Sequence, residues 1–322
     1  SRNLYADKLS LLEKYRHDAP DEGKQTIGIP MGLNFYDLLP FWYAFFHALG
    51  FRVLVSPNST RELYAVGQHT IPSDTACYPA KLMHGHIEWL LSRNPDAIFY
   101  PDMSYNVDEH LGEDHFNCPV VAYYPQVLKL NIPGLSQTRF LCDFVGLHSK
   151  KQFQKRILEI LVQYFAPFSR RQIAEAAEAA YAEYEAYHRA VQAKAQEYLA
   201  AAKQEKQPVV VLCGRPYHVD PEVSHGIDKL LCGLGAAVIT EDSLSPLVEK
   251  FRADVRNQWT YHARMYAAAK YAAGSPDDLH VVQLVSFGCG VDAVTTDEVR
   301  SILEAAGKDY TQLKIDEITN MG

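Results

Sequence analysis

The chain has 322 residues, 48% of them hydrophobic and 22% charged, which excludes collagen-like, low-complexity and broadly disordered chains and suits about two packed domains. Lys and Arg number 31 against 39 Asp and Glu, a net charge of -8, and this argues against a general electrostatic grip on nucleic acid or anionic lipid. No apolar run reaches bilayer-spanning length, and Ser1-Arg2-Asn3-Leu4 lacks a signal-like apolar stretch. The expectation is a cytoplasmic protein with neither a membrane nor a nucleic-acid partner.

In chain order, residues 1–24 are polar and helix-compatible, an N-terminal helical extension. Gln25–Pro30 reads as a short strand closing in a turn. The aromatic-rich segment Leu33–Leu49 reads as a helix stopped by Gly50, and Phe51–Val55 as the next strand. Ser59 and Thr60 are placed to cap a helix through Gly67, and Ser73-Asp74 to cap another running to about Leu91. Strands are expected at Ala97–Tyr100 and Val120–Tyr124, with a polar loop carrying Asp108, Glu109, Glu113 and Asp114 between them.

Lys150–Phe165 has amphipathic helical spacing, and Arg171–Lys206 shifts to Ala, Glu, Gln, Lys and Tyr, the composition of a long helix. Pro208–Leu212, Ala236–Ile239 and His280–Val285 form a second strand series, with Thr311–Ile315 as a last strand. The expected fold is α/β: two Rossmann-like lobes with parallel sheets, over 25–166 and 207–322, joined by a helical connector over 167–206.

Six cysteines (Cys77, Cys118, Cys142, Cys213, Cys232, Cys289) are dispersed without close pairs, which reads as a reducing compartment rather than a disulfide scaffold. Cys142 and Cys232 lie in apolar patterns and are expected in the core, while Cys213 ends a strand and fits either role. Cys289 stands between two glycines after an apolar strand. Cys77 lies near a helix N-terminus, where the dipole favours a thiolate, and Cys118 precedes Pro119 in a turn. Three turn cysteines from separate loops suit an iron-sulfur cluster or a zinc site; ordinary free cysteines are the plain alternative.

Gly214-Arg215-Pro216-Tyr217-His218 presents a guanidinium and an imidazole in a rigid loop. Arg215 and His218 are expected either to contact an anionic group or to be part of a loop fixed by Arg–Asp pairing. His84 and His86, two residues apart, cannot share a helix face and read as a solvent or interface pair rather than a metal site. The aromatics of 35–46 read as core rather than an acyl pocket. Neither a G-x-G-x-x-G fingerprint nor a G-x-x-x-x-G-K-[ST] loop is present, so no nucleotide motif supports ATP or NAD binding by this chain.

Several stretches resemble a known family: Ile27-Gly28-Ile29-Pro30, Leu38-Leu39-Pro40-Phe41-Trp42, Ile71 through Leu82, His115-Phe116-Asn117-Cys118-Pro119, Gly214 through His218, and Ser286-Phe287-Gly288-Cys289-Gly290-Val291-Asp292. They look like the uncharacterised domain of CoA-substrate-specific enzyme activase proteins, related to the activators and iron-sulfur components of 2-hydroxyacyl-CoA dehydratases and benzoyl-CoA reductases. The resemblance covers about residues 25 to 317.

That resemblance implies ATP-coupled, low-potential electron transfer towards an acyl-CoA in an anaerobe. An ATPase activator domain or subunit would be the partner, and Cys77, Cys118 and Cys289 would ligate an iron-sulfur cluster such as 4Fe-4S. Three ligands would leave one iron open to water, substrate or another thiol. Asp102 stands where the family frequently has a cysteine, which sets this member apart. Two other classes remain: a non-catalytic docking or ligand-binding module of a larger activase protein, and a thiol enzyme with Cys289 as nucleophile and His218 as base.

Overall fold

The computed structural model describes residues 1–16, 24–286 and 288–317. Its elements in chain order are α1 (Leu4–Glu13), β1 (Thr26–Ile29), α2 (Phe35–Ala48), β2 (Arg52–Val55), α3 (Arg61–Gly67), α4 (Tyr78–Leu91), β3 (Ala97–Phe99), α5 (Pro119–Asn131), β4 (Phe140–Leu141), α6 (Lys150–Tyr164) and α7 (Arg170–Glu205). They continue with β5 (Val209–Cys213), α8 (Pro221–Ser224), α9 (Ile227–Gly233), β6 (Ala237–Thr240), α10 (Glu241–Leu244), α11 (Thr260–Gly274), β7 (Leu279–Ser286), α12 (Gly290–Glu304) and β8 (Tyr310–Ile315). Part of the expected N-terminal extension, residues 17–23, and Phe287 of the last motif lie outside the described residues.

The chain divides into two compact units. The first comprises Leu12–Val107 and Asn117–Ala186, the second Ser1–Leu11, Asp108–Phe116 and Tyr187–Gly322. Each holds a four-stranded sheet, ordered β2-β1-β3-β4 in the first and β6-β5-β7-β8 in the second, with every pairing parallel. This is the α/β, Rossmann-like architecture that alternating apolar strands and helices dictate. Strands covered on both faces need continuous apolar runs, and Val209–Cys213 and Ala237–Thr240 are buried at every position.

In the first unit the aromatics of α2 do form core. Phe41, Trp42, Phe45 and Phe46 are buried, with the Trp42 ring 4.6 Å from that of Phe99 on β3 and the Phe41 ring 5.3 Å from Phe153 on α6. Helices α3 and α4 meet backbone to backbone: a Cβ at Gly67 would stand 2.2 Å from the Gly85 nitrogen, and one at Gly85 would stand 2.1 Å from the Leu63 carbonyl oxygen. Only glycine permits that approach.

Two expectations about elements are corrected. Val120–Tyr124 is helical, part of α5, although its β-branched and aromatic residues read as a strand. Cys118 caps the helix and Pro119 occupies its first turn, where a missing N–H and a fixed φ favour helix initiation. Val121, Tyr124, Pro125 and Leu128 are buried while Val120 and Tyr123 face out, a helical rather than an alternating pattern. Phe140–Leu141 instead supplies the fourth strand. Helix α4 starts at Tyr78, not after Ser73-Asp74, because the Ser73 hydroxyl engages Thr75 in a local turn and Pro79 sets the first helical turn.

Candidate functional site

Ligands of open parallel sheets bind beyond the strand carboxyl ends, where the strand order reverses. In the second unit that point lies between β5 and β7, and both flanking loops carry residues singled out in the sequence. Arg215 follows β5, and Cys289 follows β7 as the N-cap of the 15-residue helix α12. The structure brings the two together, with Arg215 Nη1 3.9 Å from Cys289 Sγ.

Arg215 is buried and bonded on several sides. Its terminal nitrogens hold the Asp292 carboxylate in a bidentate pair, with Nη2 to Oδ2 at 2.8 Å, and Nη2 also donates to Ser286 Oγ at 3.2 Å. Asp292 Oδ2 accepts the Ser286 backbone N–H at 2.8 Å, so one carboxylate ties the end of β7, the first turn of α12 and the loop after β5. Burial alone would raise the Asp292 carboxyl; Arg215 and His262 reverse this and hold it well below the usual carboxylate range. The Arg–Asp pairing left open by the sequence thus exists, with Asp292 as the partner.

His218 is fully buried. Its Nδ1 accepts the Arg215 backbone N–H at 2.9 Å, and burial together with the Arg215 charge lowers its pKa to about 3. The ring is therefore neutral with its hydrogen on Nε2, which has no partner among the described residues. With the acceptor nitrogen already used, His218 is not poised to deprotonate Cys289. His262, on α11, places Nε2 3.8 Å from Asp292 Oδ1. In front of this cluster a pocket of about 340 Å³ is lined by Ser286, Gly288, Cys289, Gly290, Asp292 and Lys314, among others.

In the first unit, Cys77 caps the 14-residue α4 and Cys118 caps the 13-residue α5. Cys118 Sγ accepts the Val121 backbone N–H at 3.5 Å. Its position is fixed by Asn117, whose amide donates to the Met103 carbonyl at 2.9 Å and accepts from Asn106 at 3.0 Å. Tyr100, just beyond β3, feels the charges of both Cys77 and Cys118, and Tyr124 that of Cys77. All three candidate cysteines are therefore N-caps of helices, beside backbone N–H groups that have no partner within the helix. Six free cysteines are present, with Cys77, Cys118 and Cys289 partly exposed.

A directed chain of hydrogen bonds links α4 to α5. Thr70 Oγ1 donates to the Gly67 carbonyl at 2.8 Å, so it accepts from His84 Nδ1 at 2.7 Å. Burial lowers the His84 pKa to about 4, so the ring is neutral and its Nε2 accepts the Tyr124 hydroxyl at 3.0 Å. His86 is held by Ser56 Oγ at 2.8 Å and Ser59 Oγ at 2.9 Å. Both histidines are fully buried, which corrects the solvent or interface expectation: α4 is covered on nearly all sides, so helix-face spacing does not expose either ring.

Of the remaining cysteines, Cys142 is core as expected and Cys213 joins it. Cys232 is not core. It is half-buried on α9, where Leu230 is 56% exposed and Leu234, just past the helix, 76%, so the apolar pattern there faces outward. Sequence reasoning also missed Tyr100, Asn106, Asn117, Ser286 and His262; Asn117 and Ser286 carried a signal in adjoining motif cysteines and glycines, whereas Tyr100 and His262 carried none.

Parallel sheets with thiols, a buried guanidinium and helix N-termini at their carboxyl edges define a Rossmann-like α/β protein. Residues 26–244 match the family described as the CoA enzyme activase uncharacterised domain, and the chain belongs to that family. No curated protein matches it. A putative sugar binding protein from Salmonella typhimurium LT2 aligns at 11% identity over 97% of this chain and 87% of that one, with a TM-score of 0.23. The C-terminal domain of glucosamine-fructose-6-phosphate aminotransferase from Francisella tularensis aligns at 12% identity over 98% and 85%, with a TM-score of 0.21; scores this low carry no argument. Among the described residues no helix is long and apolar enough to cross a membrane.

Proposed function

We propose that this chain is an iron-sulfur-binding redox component of a CoA enzyme activase system, receiving a low-potential electron from an ATP-hydrolysing activator and passing it towards an acyl-CoA. The observation that carries the reading is the shared placement of the motif cysteines: Cys77, Cys118 and Cys289 each cap a helix of at least 13 residues. Cysteine thiolates are the usual ligands of such clusters, and helix N-termini offset their charge. Thiols are the donor type such a group takes. Cys77 and Cys118 are proposed as ligands within the first unit, where Val121 N–H already donates to one sulfur. The same assignment for Cys289 rests on its own helix N-terminus and the Arg215 guanidinium beside it. A bound cluster would supply one-electron chemistry, while the protein supplies the thiolates, their charge compensation and the hydrogen bonds that set their potential.

The test is anaerobic reconstitution of the full chain with iron and sulfide, followed by metal and acid-labile sulfide analysis and EPR of the reduced sample. Bound iron and sulfide that fall on Cys77→Ser, Cys118→Ser or Cys289→Ser substitution support the proposal. A reconstituted wild-type chain that holds no iron overturns it.

A further inference from the structure

We propose that the second unit carries a binding site for a free amino acid with an apolar side chain, in a cavity between the loop 108–116 and the segment 245–259 that joins α10 to α11. The site shares no residue with the thiol sites and stands independently of the iron-sulfur reading.

The cavity is preformed. Its two walls are tied together by backbone bonds: the Glu113 N–H donates to the Asn257 carbonyl at 2.7 Å, the Phe116 N–H to the Gln258 carbonyl at 2.9 Å, and the Thr260 N–H to the Phe116 carbonyl at 3.0 Å. Arg256 Nη2 adds an ion pair to Asp114 at 3.0 Å. The enclosed space is about 240 Å³, below the roughly 300–1,000 Å³ of clefts for drug-sized ligands, so its occupant is small.

The lining supplies three kinds of contact. Leu111 and Phe251, both half-buried, form an apolar wall. Lys250 and Arg252 bring two cations and Glu113 a carboxylate; these three side chains are exposed and carry no hydrogen bond or ion pair among the described residues. Asn257 also lines the cavity, is 4% exposed, and its Oδ1 has no hydrogen-bond partner among the described residues. The amide is oriented by its Nδ2, which donates to the Leu111 carbonyl at 3.4 Å, so the oxygen is the atom left over. A buried carbonyl oxygen without a donor is costly and rare, and it marks a place where a donor belongs. A Cβ at Gly112 would stand 2.6 Å from the Asn257 carbonyl oxygen and 3.3 Å from Oδ1, so only glycine lets the loop come this close.

These groups fit a zwitterion. A carboxylate is matched to Lys250 and Arg252, an ammonium offers donors to Asn257 Oδ1 and to the Glu113 carboxylate, and an apolar side chain covers Leu111 and Phe251. A simple anion such as phosphate would leave the amide oxygen unpaired and would face Glu113. A simple cation would face Lys250 and Arg252.

Isothermal titration of the full chain with leucine tests this, alongside N-acetylleucine, which lacks the ammonium, leucinamide, which lacks the carboxylate, and inorganic phosphate. Leucine should bind, and the other three about tenfold or more weakly, because each leaves a polar group of the site unpaired. Glu113→Gln, and the double substitution of Lys250→Gln with Arg252→Gln, change exposed side chains only. Both should keep the wild-type thermal midpoint while weakening leucine about threefold or more. The inference is overturned by leucine that does not bind at millimolar concentration, by N-acetylleucine or phosphate bound as tightly as leucine, or by binding that neither variant alters.

Discussion

Arg215 Nη1 lies 3.9 Å from the sulfur of Cys289 while both terminal nitrogens of Arg215 grip the carboxylate of Asp292. The guanidinium is thus held by one anion and lies beside the Cys289 sulfur, and the loop after β5, the end of β7 and the start of α12 depend on a single buried ion pair. Both side chains are 4% exposed.

Breaking that pair is expected to be expensive. Arg215→Met strands a buried carboxylate and Asp292→Leu strands a buried guanidinium, each costing about 3–5 kcal/mol, whereas the double substitution should cost far less than the sum because neither charge is left alone. Urea unfolding of the metal-free protein measures all three. Single variants within about 1 kcal/mol of wild type would show that the pair does not organise the loops.

The buried histidines make the first unit sensitive to acid. Burial, with the Arg16 charge, lowers the His86 pKa to about 3, below the unfolded value near 6.5. Between those values the unfolded chain binds a proton that the folded chain does not, so stability falls as pH drops below about 6.5, by about 1.4 kcal/mol per pH unit for this group. His86→Gln, able to bond both Ser56 and Ser59, should flatten the slope between pH 6.5 and 5. An unchanged slope in denaturant titrations at several pH values would remove His86 as its source.

Gly85 separates the two histidines and carries a load of its own. A methyl group there would come within 2.1 Å of the Leu63 carbonyl oxygen, so Gly85→Ala must push α3 away from α4. The expected loss is about 1–3 kcal/mol or more, despite alanine's better helix propensity, and the thermal midpoint should drop accordingly. A variant as stable as wild type would mean that the two helices separate freely.

The strand-helix alternation was legible because buried parallel strands need continuous apolar runs, as in Val209–Cys213. Glycine-flanked and proline-flanked cysteines stood out because core cysteines rarely sit in turns, and Arg215 and Cys289, chosen on separate motifs, do meet. What escaped was what depends on packing between elements. Val120–Tyr124 reads as a strand until Cys118 and Pro119 are seen opening a helix. Asp292, two residues past Gly290, gives no hint in the sequence that it faces Arg215, and the burial of His84 and His86 follows from cover over nearly all sides of α4 rather than from their spacing.

Glu241, on the first turn of α10, gives the second unit a pH response of the opposite sign. Its Oε2 accepts the Gly214 backbone N–H at 3.2 Å, so it supports the loop that carries Arg215. Burial and the neighbouring Asp242 charge push its pKa up to about 7, and Lys8 and Arg264 offset only part of this. Between about pH 4.5 and 7 the folded state holds a proton that the unfolded state has lost, so this group's contribution is complete below pH 4.5 and is lost as pH rises through 7. Glu241→Gln keeps an acceptor for Gly214 and cannot ionise. It should therefore gain stability relative to wild type on going from pH 5 to pH 8, read as a widening difference in urea midpoints. A difference that does not vary with pH would show that Glu241 is ionised throughout.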